Sequence, residues 1–326
     1  MQRKGLSVRL GFCAVLVLSL LALPAGAQNS VAACDRSCLE GFAEQLLLAF
    51  QAHDPSGLAL TRDVKYTENG QRMGLNDGLW QTFSKNSSYR LPVVDVHAGQ
   101  LVFLGVIEEN GVPVIAHFRL RIQNRQISEI EVLLARNARF AKLDNLQQPR
   151  PIFLQTLAPE QRRSRAQMQA ITNSYFSGLD EENSGANVPF DDQCQRQENG
   201  AILANSPDPD AGAMQKLGCK AQFDTGFSVI VTDIRERRFM VIDEERGLSY
   251  AIVFFDHNGT PKMMGTAEGT QRAVSAPFNR PLTFMIGELF KIVDGKIRQI
   301  EAVIVDVPYG MPSGWNGEDL RSTGQL

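Results

Sequence analysis

Apolar and polar positions along this chain pass through one order twice. In the first round Leu39, Phe42, Leu46, Leu47 and Phe50 recur at helical spacing through Gln51. Pro55 ends that helix by disfavouring helical geometry at Asp54. Val64 to Thr67 reads as a short strand running into a Glu68-Asn69-Gly70 turn, and Gly78-Leu79-Trp80 opens a helical or irregular piece. From Asp95 to Leu120 two apolar runs flank Glu108-Glu109-Asn110-Gly111, the signal of an antiparallel hairpin. Gln126 to Leu134 supplies a closing strand after an Asn124-Arg125 turn.

The second round starts with Met168, Ile171, Tyr175 and Phe176, again at helical spacing. Glu198-Asn199-Gly200 repeats the earlier turn, and Asp233 to Asp256 sets a second pair of apolar runs about Glu244-Glu245-Arg246-Gly247, read as the twin of the first hairpin. Ile286 to Val293 and Ile297 to Val305 close the round, and Ile127-Ser128-Glu129-Ile130-Glu131 returns as Ile297-Arg298-Gln299-Ile300-Glu301. Asn205 to Gly218 and His257 to Arg280 are insertions of the second copy. Between the rounds, Gln147-Gln148-Pro149-Arg150-Pro151 and Arg162-Arg163-Ser164-Arg165 read as an exposed linker. A helix, then strands, a long hairpin and a final strand predict an α+β unit in tandem duplication, each copy a curved antiparallel sheet wrapped on N-terminal helices.

That order is shared with the cone-shaped fold of nuclear transport factor 2 and of SnoaL-like polyketide cyclases. The phrases HDPSGL, KYTENG, SYFSGLD, PFDDQCQRQENG, RERRFMVIDEERGLSYAIVFFDH and GKIRQIEAVIVDVPYGMPSGW resemble, over nearly all of the chain after the leader, a family of secreted proteins with two SnoaL-like repeats known in bacteria and fungi. The resemblance implies the cone-shaped fold. It also implies lyase or isomerase chemistry before hydrolysis, because SnoaL-like relatives run aldol cyclisations, isomerisations, dehydrations and carbon–carbon lyase reactions.

The ends set the compartment. Arg3, Lys4 and Arg9, an apolar run from Leu10 to Leu23, and Ala25-Gly26-Ala27 make a secretory signal peptide over 1–27. The run is too short for an ordinary membrane span. Val31-Ala32-Ala33-Cys34 is a rival, lipoprotein-type cleavage box. The predicted organisation is then a first repeat over 28–140, a linker over 141–163, a second repeat over 164–310 and a tail over 311–326. Losing the leader also removes Cys13 and leaves Cys34, Cys38, Cys194 and Cys219 in a compartment that permits disulfides. Four cysteines allow three connectivities. An i,i+4 pair on a helix start is within disulfide reach, and Cys194 and Cys219 flank an Asn/Pro/Asp-rich loop, so Cys34–Cys38 with Cys194–Cys219 is expected ahead of a metal site. The net charge of −3 falls to about −6 without the leader, which argues against a nucleic-acid surface.

Candidate chemistry lies where polar residues interrupt apolar strands. His117 with Arg119, Glu129 and Glu131 is either a His–carboxylate set or a solvated outer face of cross-strand ion pairs. Tyr66, Glu68 and Asn69 correspond to Arg196, Glu198 and Asn199, with Trp80 close by in the first copy. The second copy is richer: Arg196, Glu198, Tyr250, Asp256, His257 and Glu288 are the catalytic candidates, with His257 as general base oriented by Asp256 or Glu288. Tyr66, Glu68, Trp80, His117 and Trp315 are the binding candidates, and Trp315 either closes a pocket or packs across the two copies. No G-x-S-x-G elbow, P-loop, G-x-G-x-x-G after a strand or H-E-x-x-H occurs. The reading is an exported, secreted or periplasmic lyase or isomerase that needs no cofactor or metal and acts on a small hydrophobic molecule, aromatic or otherwise. The alternative is a non-catalytic binding module with one scaffold repeat. Neither nucleic acid nor a membrane span is expected, and a homodimer is left open.

Overall fold

The computed structural model describes residues 34–136, 138 and 141–315, with 1, 2 and 5 besides. The apolar core of the expected signal peptide, Val31 to Ala33 and the tail after Trp315 lie outside the described residues. The first half runs α1 (Arg36–Ala52), β1 (Leu60–Glu68), β2 (Gln71–Arg72), α2 (Leu79–Thr82), β3 (Phe83–Asp95), β4 (Gln100–Glu109), β5 (Val112–Gln123) and β6 (Gln126–Ala135). A short helix α3 (Pro151–Leu154) lies in the connection. The second half runs α4 (Arg165–Asp180), β7 (Phe190–Glu198), β8 (Ala201–Ala204), α5 (Ala213–Lys216), α6 (Cys219–Phe223), β9 (Asp233–Asp243), β10 (Leu248–His257), β11 (Met263–Gly265), β12 (Gln271–Ala273), β13 (Leu282–Val293) and β14 (Lys296–Val307). No helix among the described residues is long and apolar enough to cross a membrane.

Local chemistry accounts for the element ends. Asp35 caps α1 by accepting from the Cys38 N–H at 2.9 Å, and Ser164 with Gln167 forms a capping box on α4. Asn110 and Gly111 both take positive φ between β4 and β5, as a two-residue turn matched to strand twist requires. Asn69 and Asn199 occupy the same kind of turn, and each also pins its turn to the closing strand. The Asn69 side chain bonds both polar groups of Leu134, and that of Asn199 those of Ile304.

Each half builds a six-stranded sheet, in the orders β2-β1-β6-β5-β4-β3 and β8-β7-β14-β13-β10-β9. The sheets are mixed rather than antiparallel throughout, because β1 pairs parallel to β6 and β7 parallel to β14. The excursion through the other strands brings the chain back in the direction it left. A second correction concerns the twin hairpins. The turn after Asp243 leads into β10 as the turn after Asp95 leads into β4, so β9–β10 matches β3–β4, one strand earlier than the apolar runs suggested. The partner was hidden because β3, an edge strand, reads Phe83-Ser84-Lys85-Asn86-Ser87-Ser88-Tyr89-Arg90-Leu91-Pro92 and has little apolar pattern. Pro92 is at home on such an edge.

Three apolar cores result. One lies inside each curved sheet, under α1 in the first half and α4 in the second. The third lies between the sheets: Leu91, Val93, Val102, Leu104 and Val106 of the first meet Val241, Leu248, Tyr250, Ile252 and Phe254 of the second. The connecting segment joins this core, since Leu146 and Phe153 are buried in it and Leu157 is buried too. It is a packed strap and not an exposed linker. With both outer faces used against each other, a homodimer would have to employ another surface.

Polar contacts across the halves are reciprocal. Asp95 accepts from the Ile242 N–H at 2.9 Å and from Arg165 at 2.7 Å; Asp243 accepts from Val94 at 3.4 Å and from Arg36 at 2.8 Å. Arg36 and Arg165 are the first residues of α1 and α4, where a cation has the wrong sign for the helix dipole. Their partners in the opposite half account for them. Glu131, fully buried, takes Arg119 of its own sheet at 2.7 Å and Arg238 of the other at 2.6 Å. Burial alone would raise its pKa, but Arg238 and Arg119 outweigh that and hold it below the usual carboxylate range. Its counterpart Glu301 accepts from Tyr89 and from Arg150.

Removing one member of a buried ion cluster leaves the others uncompensated. Glu131→Gln should lower the unfolding free energy by about 3–5 kcal/mol, whereas Arg90→Ala, at an exposed pair with Glu44, should cost less than about 1 kcal/mol. Equilibrium urea unfolding of both variants checks this, with a single transition expected because the halves share a core.

Candidate functional site

The register of the two sheets shows why one cone is filled and the other open. Across the first sheet, Glu68, Val132, Phe118 and Phe103 stand in one row on β1, β6, β5 and β4. The matching row on β7, β14, β13 and β10 is Glu198, Ala302, Glu288 and Ala251. In the first cone Phe118 lies near Phe50, which stacks on Trp80 with ring centroids 4.0 Å apart, and Trp80 is fully buried. In the second, small alanines flank a carboxyl group, and a cavity of about 360 Å³ remains. That volume is within the span of small-molecule sites, about 300–1,000 Å³.

One end of the cavity is polar. Alternation along β7 puts Cys194, Arg196 and Glu198 on one face, and the Cys194–Cys219 disulfide ties α6 to that strand. Gln222 on α6 accepts from Arg196 Nη2 at 2.6 Å, and its own amide nitrogen donates to the carbonyls of Leu203 and Met214. Arg196 Nε faces Glu198 at 3.2 Å, and Nη1 donates to the Tyr175 hydroxyl at 3.4 Å. Tyr175 lies within hydrogen-bonding reach of Glu288. Glu288 is buried and its Oε2 has no partner. Burial, and then the Glu198 carboxylate, push its pKa up to about 8. It is therefore a neutral hydrogen-bond donor near pH 7 beside an ion-paired carboxylate.

His257 marks the other end. It is 2 % exposed, packed against Phe278 and Phe284. Its Nδ1 lies 2.8 Å from the Ile230 carbonyl, which can only accept, so Nδ1 carries the proton and Nε2 presents a lone pair. Nε2 has no partner in the protein. Burial depresses the ring's pKa to about 4, so it is neutral at ordinary pH. His257 is paired with Leu282, six residues along β13 from Glu288, or about 20 Å of strand.

Residues 161–304 match a domain of unknown function, DUF8021. Every residue lining the cavity falls within that segment. No curated protein matches the chain. Among solved structures it is similar to an NTF2-like protein of unknown function from Cytophaga hutchinsonii, at 12% identity over 29% of this chain and 88% of that one, with a TM-score of 0.25. It is also similar to AclR, a putative hydroxylase from Streptomyces galilaeus, at 16% identity over 50% of this chain and 88% of that one, with a TM-score of 0.27.

The structure thus brings Arg196, Glu198, Glu288 and His257 to one cavity and puts the other candidates elsewhere. Asp256 points to the opposite face of β10, where it holds Arg235 at 2.8 Å and Thr283 at 2.5 Å. The Ile230 carbonyl, and neither Asp256 nor Glu288, orients His257. Tyr250 lies between the sheets, its hydroxyl 3.1 Å from His117 Nδ1, and Gly287 makes room for the pair, because a Cβ there would stand 2.2 Å from that hydroxyl. His117 is neither in a pocket nor solvated, and burial drops its pKa to about 3. In the first cone Tyr66 donates to Glu68, which Arg136 also pairs at 3.2 Å. Trp315 packs across the halves: its indole N–H donates to Thr67, Lys65 and Arg119 flank its ring, and the Met311 carbonyl accepts from Arg235. Both expected disulfides are present. Sequence reasoning missed Tyr175 and Gln222. A tyrosine on the apolar face of a helix needs a partner for its hydroxyl, and that was the available signal for Tyr175.

The two titrating groups act on stability with opposite signs. For Glu288 the native state keeps a proton that the unfolded chain loses above about 4.5, so stability falls as pH rises through the window up to about 8. For His257 the unfolded chain binds a proton below 6.5 that the native ring refuses until about 4, so stability is lost as pH falls through that window. Each pKa unit corresponds to about 1.4 kcal/mol. Glu288→Gln should therefore gain on the wild type by a few kcal/mol between about pH 5 and pH 9, measured by denaturant unfolding at both ends.

Proposed function

We propose that the second half is the working copy of an exported, duplicated SnoaL-like fold and acts as a cofactor-independent lyase or isomerase on a small hydrophobic carbonyl compound. The observation that carries this reading is the row Glu198–Ala302–Glu288, two acidic side chains on either side of an alanine floor in an apolar cavity. A carboxyl group held neutral beside a carboxylate that is ion-paired to Arg196 suits separate acid and base roles. Here the neutral Glu288 donates to the substrate oxygen, and the Glu198 carboxylate takes the proton from the adjacent carbon. The C–H bond breaks and an O–H bond forms. In isomerisation Glu198 returns its proton to another carbon as the enol gives its O–H proton back to Glu288. In elimination the β-substituent leaves with its bonding electron pair, taking the proton from Glu198, as Glu288 recovers its own. Arg196 with Tyr175 supports charge developing on the oxygen. The disulfides suit an oxidising compartment, in keeping with the leader read over 1–27.

The first half serves as scaffold in this reading, since its cone is filled by Phe50, Trp80 and Phe118. The rival binding-module reading draws on the distance between His257 and Glu288, which stops them from acting on one atom.

Incubating the mature protein in deuterated water with a panel of aromatic, terpenoid and polyketide-like ketones, followed by mass spectrometry, tests the chemistry. Wild type should introduce deuterium beside the carbonyl or convert the ketone. Glu288→Gln should be slower by about 10²–10⁴-fold. Ketones that bind and are recovered unlabelled would leave the binding module standing and end the enzyme reading.

A further inference from the structure

The cavity offers two polar points of different character, separated by an apolar wall. At one end is Nε2 of His257, an acceptor whose tautomer is fixed by the Ile230 carbonyl and which has no protein partner. At the other is the unpartnered Oε2 of Glu288 beside Arg196. Phe255, Phe284 and Ile286 line the cavity between them. A buried imidazole nitrogen and a buried carboxyl oxygen without partners each carry an unrepaid desolvation cost, which a ligand group bonding to them would offset.

Charge narrows the choice at the acidic end. The Arg196 guanidinium is matched by Glu198 at 3.2 Å, and Glu288 has no charge to offer near neutrality. No net positive charge remains to hold a carboxylate there. The remaining cation of the lining, Arg272, is exposed on the β11–β12 hairpin.

Resting on the reading of this cavity as a small-molecule site, we infer that it recognises an elongated, mostly apolar molecule at both ends: a hydroxyl donated to His257 Nε2, and a neutral carbonyl oxygen accepting from Glu288. His257 is then a specificity residue and takes no part in the proton transfer. The ligand class is a hydroxylated alkyl or aryl ketone or ester, with its two oxygens at opposite ends of the hydrocarbon.

The test uses three straight-chain probes of about ten carbons, sized to the span between the two side chains: a methyl ketone, a primary alcohol, and the methyl ketone with a hydroxyl at its far end. Binding to the mature protein is measured by calorimetry at neutral pH. The bifunctional probe should bind about tenfold more tightly than either monofunctional one, the scale of a buried hydrogen bond. In His257→Phe it should fall to the affinity of the plain ketone, which itself is unchanged. In Glu288→Leu it should fall to that of the plain alcohol. Equal affinities of the three probes for wild type would overturn two-ended recognition while leaving the cavity as a ligand site. If none of the three binds, the small-molecule reading goes with it.

Discussion

Reciprocal capture of buried carboxylates between two sheets is the constraint on which the rest of this molecule depends. Asp95 and Asp243 each end an edge strand, and each accepts a backbone N–H from the edge strand of the other half. Arg36 and Arg165 complete the pattern from the first turns of the two long helices. The register these contacts fix sets Val102, Leu104 and Val106 against Tyr250, Ile252 and Phe254. Because strand side chains alternate faces, fixing which residues meet between the sheets also fixes which ones face into the cones.

The two cones share a frame and differ in what fills them. A Phe118 in one row and a Glu288 in the matching row decide that difference. Phenylalanine brings its own packing partners, and the first cone closes around Phe50 and Trp80. A carboxyl group between alanines brings none, so a cavity is left beside it, while its own burial and then the Glu198 carboxylate raise its pKa. The second half pays for that opening with extra covering structure: α5, α6 and the β11–β12 hairpin, with the Cys194–Cys219 bridge fastening α6 to the strand that carries Arg196.

Much of this was legible in the residues. Helical spacing from Leu39 to Phe50, the Asn-Gly turns and the repeated closing strand gave two rounds of one α+β order, and loop chemistry pointed to the two disulfides that form. Four of the six catalytic candidates, Arg196, Glu198, Glu288 and His257, line one cavity. Two of the errors share a cause. The polar edge strand β3 escaped notice, which displaced the hairpin correspondence by one strand, and the strap around Phe153 looked like a linker because its apolar residues are few and widely spaced. Both are held by the other half of the molecule, and local pattern does not record a distant partner.

The sequence by itself determined the local preferences: where helices start, where turns fall, which cysteines can meet, and that the order occurs twice. The tertiary structure decided which face of each strand became pocket and which became interface. The reason is visible in β10, where all ten residues are buried. Alternation distinguishes two faces only when one of them is wet. With apolar surroundings on both sides, nothing in the run from Leu248 to His257 could separate Tyr250 and Asp256, which face the first sheet and its neighbours, from His257, which faces the cavity.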